Sequence, residues 1–473
     1  MSTPTSLPQV TIQTDALSTV NDVEQGIVEQ EDIWVSCYEL SKPSVHGKVA
    51  VVISDEDRTQ CAFKGRDGVE CRRVQKNSFQ ISCPSLHINN RVIHFPSHTI
   101  NLPEVPSTKL SSKLDNIINS IDVSADGQTW VVGLGNGTIA VGAAAPSGRG
   151  TQSEPLMGSI HKASVTTVRF IPPVSVELSS TSRTRILSGS DDFALALTEA
   201  PNSAVLSATI QTASQDAALP PASLRLTAHT RAVTSVQAFP GGTKAMSAGR
   251  DGTLRIWDLT PGHPSGGRQI GMVRSTGDVG INSIAFSSNM SGSNTLVALA
   301  LQSGHFDIVD LDSRTMLFSS SSPDFNYTKN GPLDAIDAYP LPGLEAKYLI
   351  ATGSQRGILA FYVCVIQDGR AIVSNVGSCV RNGAGISDIK LIPSLSAEQS
   401  IGDYPCVLVA TTDGLPYQLG ISQVSSSSEI KFEILAEYAG GPDCSPVRSI
   451  VGHTRTRMIW VAGDDGIIWV YQE

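Results

Sequence analysis
The sequence predicts an all-β chain in which one unit recurs. Two observations carry that prediction. A strand–turn–strand rhythm returns seven times after about residue 96, and a tight turn sits at the same point of each unit. The best-formed unit runs from His229 to Asp258. There 233–239 is rich in β-branched residues, 240–242 is a turn, 244–248 is a short strand, 250–252 is a second turn and 254–258 is a third strand.

Residues 1–28 are polar, show no clear periodicity and read as a disordered tail. Strand candidates follow at 33–37, 49–54, 79–84 and 92–95, which predicts a small β-rich N-terminal domain over 29–95 with Trp34, Phe79 and Ile81 as its core. From 96 to 473 the repeated units follow. Their first strands are expected at 119–123, 165–170, 233–239, 281–286, 333–339, 386–391 and 447–451, and their turns at 135–137, 190–192, 250–252, 302–304, 355–357, 412–414 and 464–466. Polar insertions at 143–155, 172–182, 200–221, 319–330 and 425–428 lengthen the units and suit solvent-facing loops.

The 229–258 unit resembles a WD repeat of a β-propeller, which implies a hydrogen-bonded chain of Asp251, His229, Ser247 and Trp257. A buried imidazole and a buried indole N–H each need such partners. At the Trp257 position the other units carry Gly142, Thr198, Val309, Tyr362, Leu419 and Tyr471. At the Asp251 position they carry Asn136, Asp192, Ser303, Arg356, Asp413 and Asp465. The expected fold is therefore a seven-bladed WD40-type β-propeller carried by rhythm more than by motif. The last unit stops after its third strand, so a strand from about 93–105 is expected to complete it and remove a free edge.

Composition narrows the function. A formal net charge of −10 argues against nucleic acid and anionic membranes as main partners and suits a basic protein surface. No stretch of 18 apolar residues occurs, and 1–22 lacks the character of a signal peptide, so an intracellular protein is expected. The eight cysteines have no C-x-x-C spacing and read as small buried hydrophobes; no metal or other cofactor is expected. The phosphate-cradling, serine-elbow and zinc-protease motifs are missing, and the adjacent pairs Asp191–Asp192 and Asp464–Asp465 each share one turn, so no enzyme chemistry is expected. His161, His229 and His453 read as hydrogen-bonders inside their units.

Short stretches spread over most of the chain resemble the proteasomal ATPase-associated factor family. They are 31–37 with Lys42, Pro43, Ser44 and Gly47; 77–84; 247–253; 441–447; and 464–471. The resemblance implies a non-catalytic, monomeric chaperone of the cytoplasm and nucleus. Such a chaperone binds the C-terminal small domain of one AAA+ ATPase subunit during assembly of the base of the proteasome regulatory particle, and meets other assembly factors only indirectly. The contact is expected on one acidic rim built by Asp191, Asp192, Asp251, Asp334, Asp388, Asp413, Asp443, Asp464 and Asp465, with Arg250 and Arg356. Asp192, Asp251, Asp413 and Asp465 hold the signature turn position and are expected to be spent inside their units, which leaves Asp191, Asp443 and Asp464 for a partner. Two alternatives stay open. One is a substrate receptor of a cullin-type ubiquitin ligase, against which Thr260 stands where an arginine is usual. The other is a general scaffold or a histone-tail reader.

Overall fold
The computed structural model describes residues 3–58, 60–103, 116–144, 154–172, 184–201, 218–260, 266–288, 295–341, 347–367, 369–393, 404–423, 430–441 and 444–473. The chain opens with β1 (Thr5–Ser6), β2 (Gln9–Ile12) and α1 (Ala16–Glu24), followed by β3 (Gln30–Tyr38), β4 (Val45–Ile53) and β5 (Cys61–Gly65). β6 (Glu70–Gln75), β7 (Ser78–Cys83), β8 (Ile88–His94) and β9 (His98–Asn101) complete the N-terminal part.

The disordered tail expected over 1–28 is not what residues 3–28 form. Ala16, Val20 and Val23 lie at helical spacing, and all three are fully buried in α1. Averaged over a polar segment, that stripe leaves little trace in composition. Trp34 also departs from expectation. Along β3 the residues Ile33, Val35 and Cys37 point inward, so strand alternation turns Trp34 outward. It is 53% exposed, with the Lys48 ammonium 4.1 Å above its ring. Phe79 and Ile81 are buried as expected, in a core shared by α1, the sheet β2–β3–β4–β5 and the strands β7 and β8.

Among the described residues, seven further sheets share one antiparallel order of consecutive strands. Their first strands are Ile118–Val123, Val165–Ile171, Val233–Ala238, Ile281–Ser288, Leu333–Pro340, Ile386–Ile392 and Val447–His453. Each first strand touches the first strand of the next sheet, and that of the last touches that of the first. The closing seam buries Trp130, Trp460, Ile100 and Ile468 together. In the first sheet the tryptophan has changed strands: Trp130 lies on the second strand opposite Gly142, and a Cβ at Gly142 would meet its ring at 2.3 Å.

Three of these sheets receive N-terminal strands. β9 pairs antiparallel with Ile467–Gln472 and supplies the last sheet's outer strand, as the sequence leads one to expect. β8 pairs in parallel with Ile430–Tyr438, so β6–β7–β8 extends the sixth sheet to seven strands. β1 adds to Arg370–Val380, also in parallel. The region expected as a domain over 29–95 is thus joined to the sixth sheet by the backbone ladder of β8.

Of the expected insertions, 145–153, 173–183, 202–217 and 424–429 lie outside the described residues. The stretch 319–330 differs from a solvated loop. Its Phe325 and Tyr327 pack on Phe306, Phe318 and Tyr362, and the Tyr327 hydroxyl donates to the Gly304 carbonyl at 2.7 Å.

Candidate partner-binding face
One irregularity recurs in all seven first strands. The register skips a single residue after the first position, so that residue is bulged out of its ladder. The bulged residues are Asn119, Thr166, Thr234, Asn282, Asp334, Ser387 and Arg448, and all seven line one funnel of about 550 Å³.

Five of them tie their own sheet to the next. Asn119 Nδ2 donates to the Val165 carbonyl at 2.9 Å, Thr234 Oγ1 to Ile281 at 2.7 Å and Asn282 Nδ2 to Leu333 at 3.0 Å. Thr166 donates likewise to Val233, and Ser387 to Val447. The belt is interrupted twice. Asp334 has no proton to give when ionised and instead accepts from Asn282 and Gln355. Arg448 turns aside to Asp464.

The rim residues expected from sequence divide into groups. Asp191, Arg250 and Asp334 come together in the funnel. Arg250 is exposed, and its charge acts on both carboxylates. Partial burial raises Asp191 and Asp334 above the ordinary carboxylate range, and Arg250 opposes that rise at each. Arg356 is exposed beside Gly331.

The signature acids are spent inside their sheets, as expected. Asp251 accepts from His229 Nδ1 at 3.0 Å, Thr253 Oγ1 at 2.7 Å and the Thr230 amide at 3.0 Å. His229 Nε2 meets Ser247 Oγ at 2.8 Å, and Trp257 Nε1 donates to that oxygen at 2.9 Å. Burial works to raise Asp251, but these donors outweigh it and hold the carboxyl well below its usual range. Asp192 repeats the pattern with His161 and Ser188. Burial opposes its ionisation, while the Lys162 amide, Arg225 and His161 together bring it to about 2. Asp413 is held by Thr411, Asn382 and the Leu415 amide. Asp465 accepts from Trp469 Nε1 at 2.6 Å.

Two rim assignments need correcting. Asp464 is not a spare charge, because the Arg448 guanidinium occupies it. Asp388 is not at the rim. It is the third residue of its strand, past the bulge, and binds Lys390, Ser449 Oγ and the Ile450 amide. It lines a separate cavity of about 320 Å³ at the other end of the first strands, with Asp122, Arg169 and Asp337. There burial raises Asp337 to about 6, with Lys390 opposing. Asp443 lies outside the described residues. His453 ends a first strand rather than preceding one, and bonds Thr456 and the Ala125 carbonyl.

The face is therefore mixed in charge rather than acidic, since Arg448 and Arg225 join Arg250 and Arg356. The sequence reading missed the bulges. Their signal was an apolar residue followed by a polar one at each first-strand start, from Ile118-Asn119 to Val447-Arg448.

Residues 222–258 match the family model described as WD domain, G-beta repeat. The chain contains a WD repeat. No curated protein matches the chain. WD-repeat proteins are typically non-catalytic interaction scaffolds, and the matched segment here holds both the complete Asp251–His229–Ser247–Trp257 chain and Arg250 at the funnel.

Proposed function
We propose that this protein is a seven-bladed propeller acting as a non-catalytic chaperone for assembly of the proteasome regulatory-particle base. In this reading it holds the C-terminal small domain of one AAA+ ATPase subunit at the funnel face. The observation that carries the reading is the cluster of Asp191, Arg250 and Asp334 around the mouth. Their charges are not committed to closing a sheet, unlike those of Asp192 and Asp251. The cyclic contact of the seven first strands supports the propeller count, and the family resemblance of 31–37, 77–84, 441–447 and 464–471 supports the partner class. A mixed-charge face calls for a partner surface with matching positive and negative points, which favours specificity over bulk attraction.

Affinity capture from cell extract tests this. Free base ATPase subunits and assembly intermediates should be recovered, with little mature proteasome. Arg250→Ala should weaken binding to the isolated ATPase small domain by about 1–2 kcal/mol, the range of a central arginine anchor. Recovery of cullin adaptors without ATPases overturns the reading, as does an Arg250→Ala variant of unchanged affinity.

A further inference from the structure
The strands β5 and β6 are both sheet edges. β5 ends the β2–β3–β4–β5 sheet, β6 ends the seven-stranded one, and among the described residues no strand pairs with the outer edge of either. Between them and α1 lies a groove of about 650 Å³. Apolar and thiol groups line it through Phe63, Cys61 and Cys71, and Phe63 is anchored edge-on against the buried Phe79 at 5.8 Å. The walls are basic. Arg72 and Lys76 are exposed, Arg73 is half-buried, and the one lining carboxylate, Glu24, is already taken by Arg73 at 2.7 Å. This is a basic groove on a chain of formal net charge −10. Val74, 41% exposed, is the bulged residue of β6 and has no partner residue on β7.

We infer that this groove binds an extended acidic segment of a partner protein as an added strand on β6. Three features select that occupant. An open strand edge supplies main-chain hydrogen bonds to an extended chain. Strand alternation sends every second side chain toward Phe63 and Cys71, which suits apolar residues. The residues between meet Arg72 and Lys76, which suits glutamate or aspartate. None of the lining residues belongs to the funnel, so the inference does not depend on the proposed chaperone role.

The test uses the full chain and a fluorescein-labelled peptide of alternating glutamate and valine, followed by anisotropy. Saturable binding is expected, with amide-exchange protection gained within 70–75. A peptide of alternating lysine and valine should not bind, and N-methylation of alternate amides in the Glu/Val peptide should abolish binding. The double reversal Arg72→Glu with Lys76→Glu should weaken it by about tenfold, as expected for two exposed charge contacts, with the melting temperature unchanged. Four results would each overturn the inference: no binding of the Glu/Val peptide, equal binding of the lysine peptide, protection confined to other strands, or tighter binding of a single-stranded oligonucleotide that marks a generic polyanion site.

Discussion
At the scale of single residues, the same chemical group does opposite things in two places. Asp192 is held at about 2 by its donors, so its ionised form favours the fold. That contribution is full above the ordinary carboxylate value near 3.8 and is lost as pH falls toward 2. Asp192→Asn should therefore lower stability at neutral pH and flatten the acid limb of a urea-unfolding series. Asp337 is the reverse. Burial raises it to about 6, so the ionised side chain costs stability that is absent below about 3.8 and complete above about 6. Its oxygen accepts from the Leu391 amide, which an asparagine oxygen also does. Asp337→Asn should then stabilise the protein above pH 6 and leave it unchanged below pH 4, measured in the same series. The Asp192 role was legible, because His161 stands before a first strand and Asp192 in the turn. The Asp337 role was not, since it depends on a cavity built by residues from other sheets.

At the scale of elements, the belt of bulged residues yields a directional test. Thr234→Val removes a hydroxyl that bonds both Ala248 and Ile281 and should cost about 1 kcal/mol. Asp334→Asn should act the other way. Asn119 and Asn282, at the equivalent position, donate to the following strand, and an asparagine at 334 keeps its acceptor while gaining a donor aimed at Ile386. A gain of up to about 1 kcal/mol is expected, read as a higher midpoint in urea. The strand rhythm and the closing strand near residue 100 were legible because each is written in local alternation. The N-terminal segment was not. Deleting residues 1–24 is expected from composition to change melting little, whereas Leu7, Val10, Ile12, Ala16, Val20 and Val23 are all buried. At about 1.5 kcal/mol or more per buried aliphatic side chain, the deletion should cost several kcal/mol. A melting temperature within a degree or two of the intact chain would contradict this.

At the scale of the whole molecule, one buried carboxylate ties the N-terminal part to the repeated sheets. Glu437 accepts from Arg91 at 3.1 Å, from Arg381 and from the Val10 amide at 3.2 Å. Glu437→Gln leaves two buried guanidinium groups without their counter-charge, a change of about 3–5 kcal/mol in comparable buried pairs. The variant should unfold in two steps where the parent unfolds in one, followed by calorimetry. The three inter-region ladders also carry a consequence for how the chain comes off the ribosome. Thr5 waits for Cys379, Val92 for Ala436 and Ile100 for Ile468. During synthesis the leading segment emerges hundreds of residues before the strands that receive it. Its β2–β5 sheet has all its strands early, while β1, β9 and the edge of β8 not paired with β7 stay unmatched until residues 379, 468 and 436 respectively have been made. For that interval the nascent chain displays open strand edges, and holdase binding should fall abruptly once the strand ending at Gln472 is released from the ribosome.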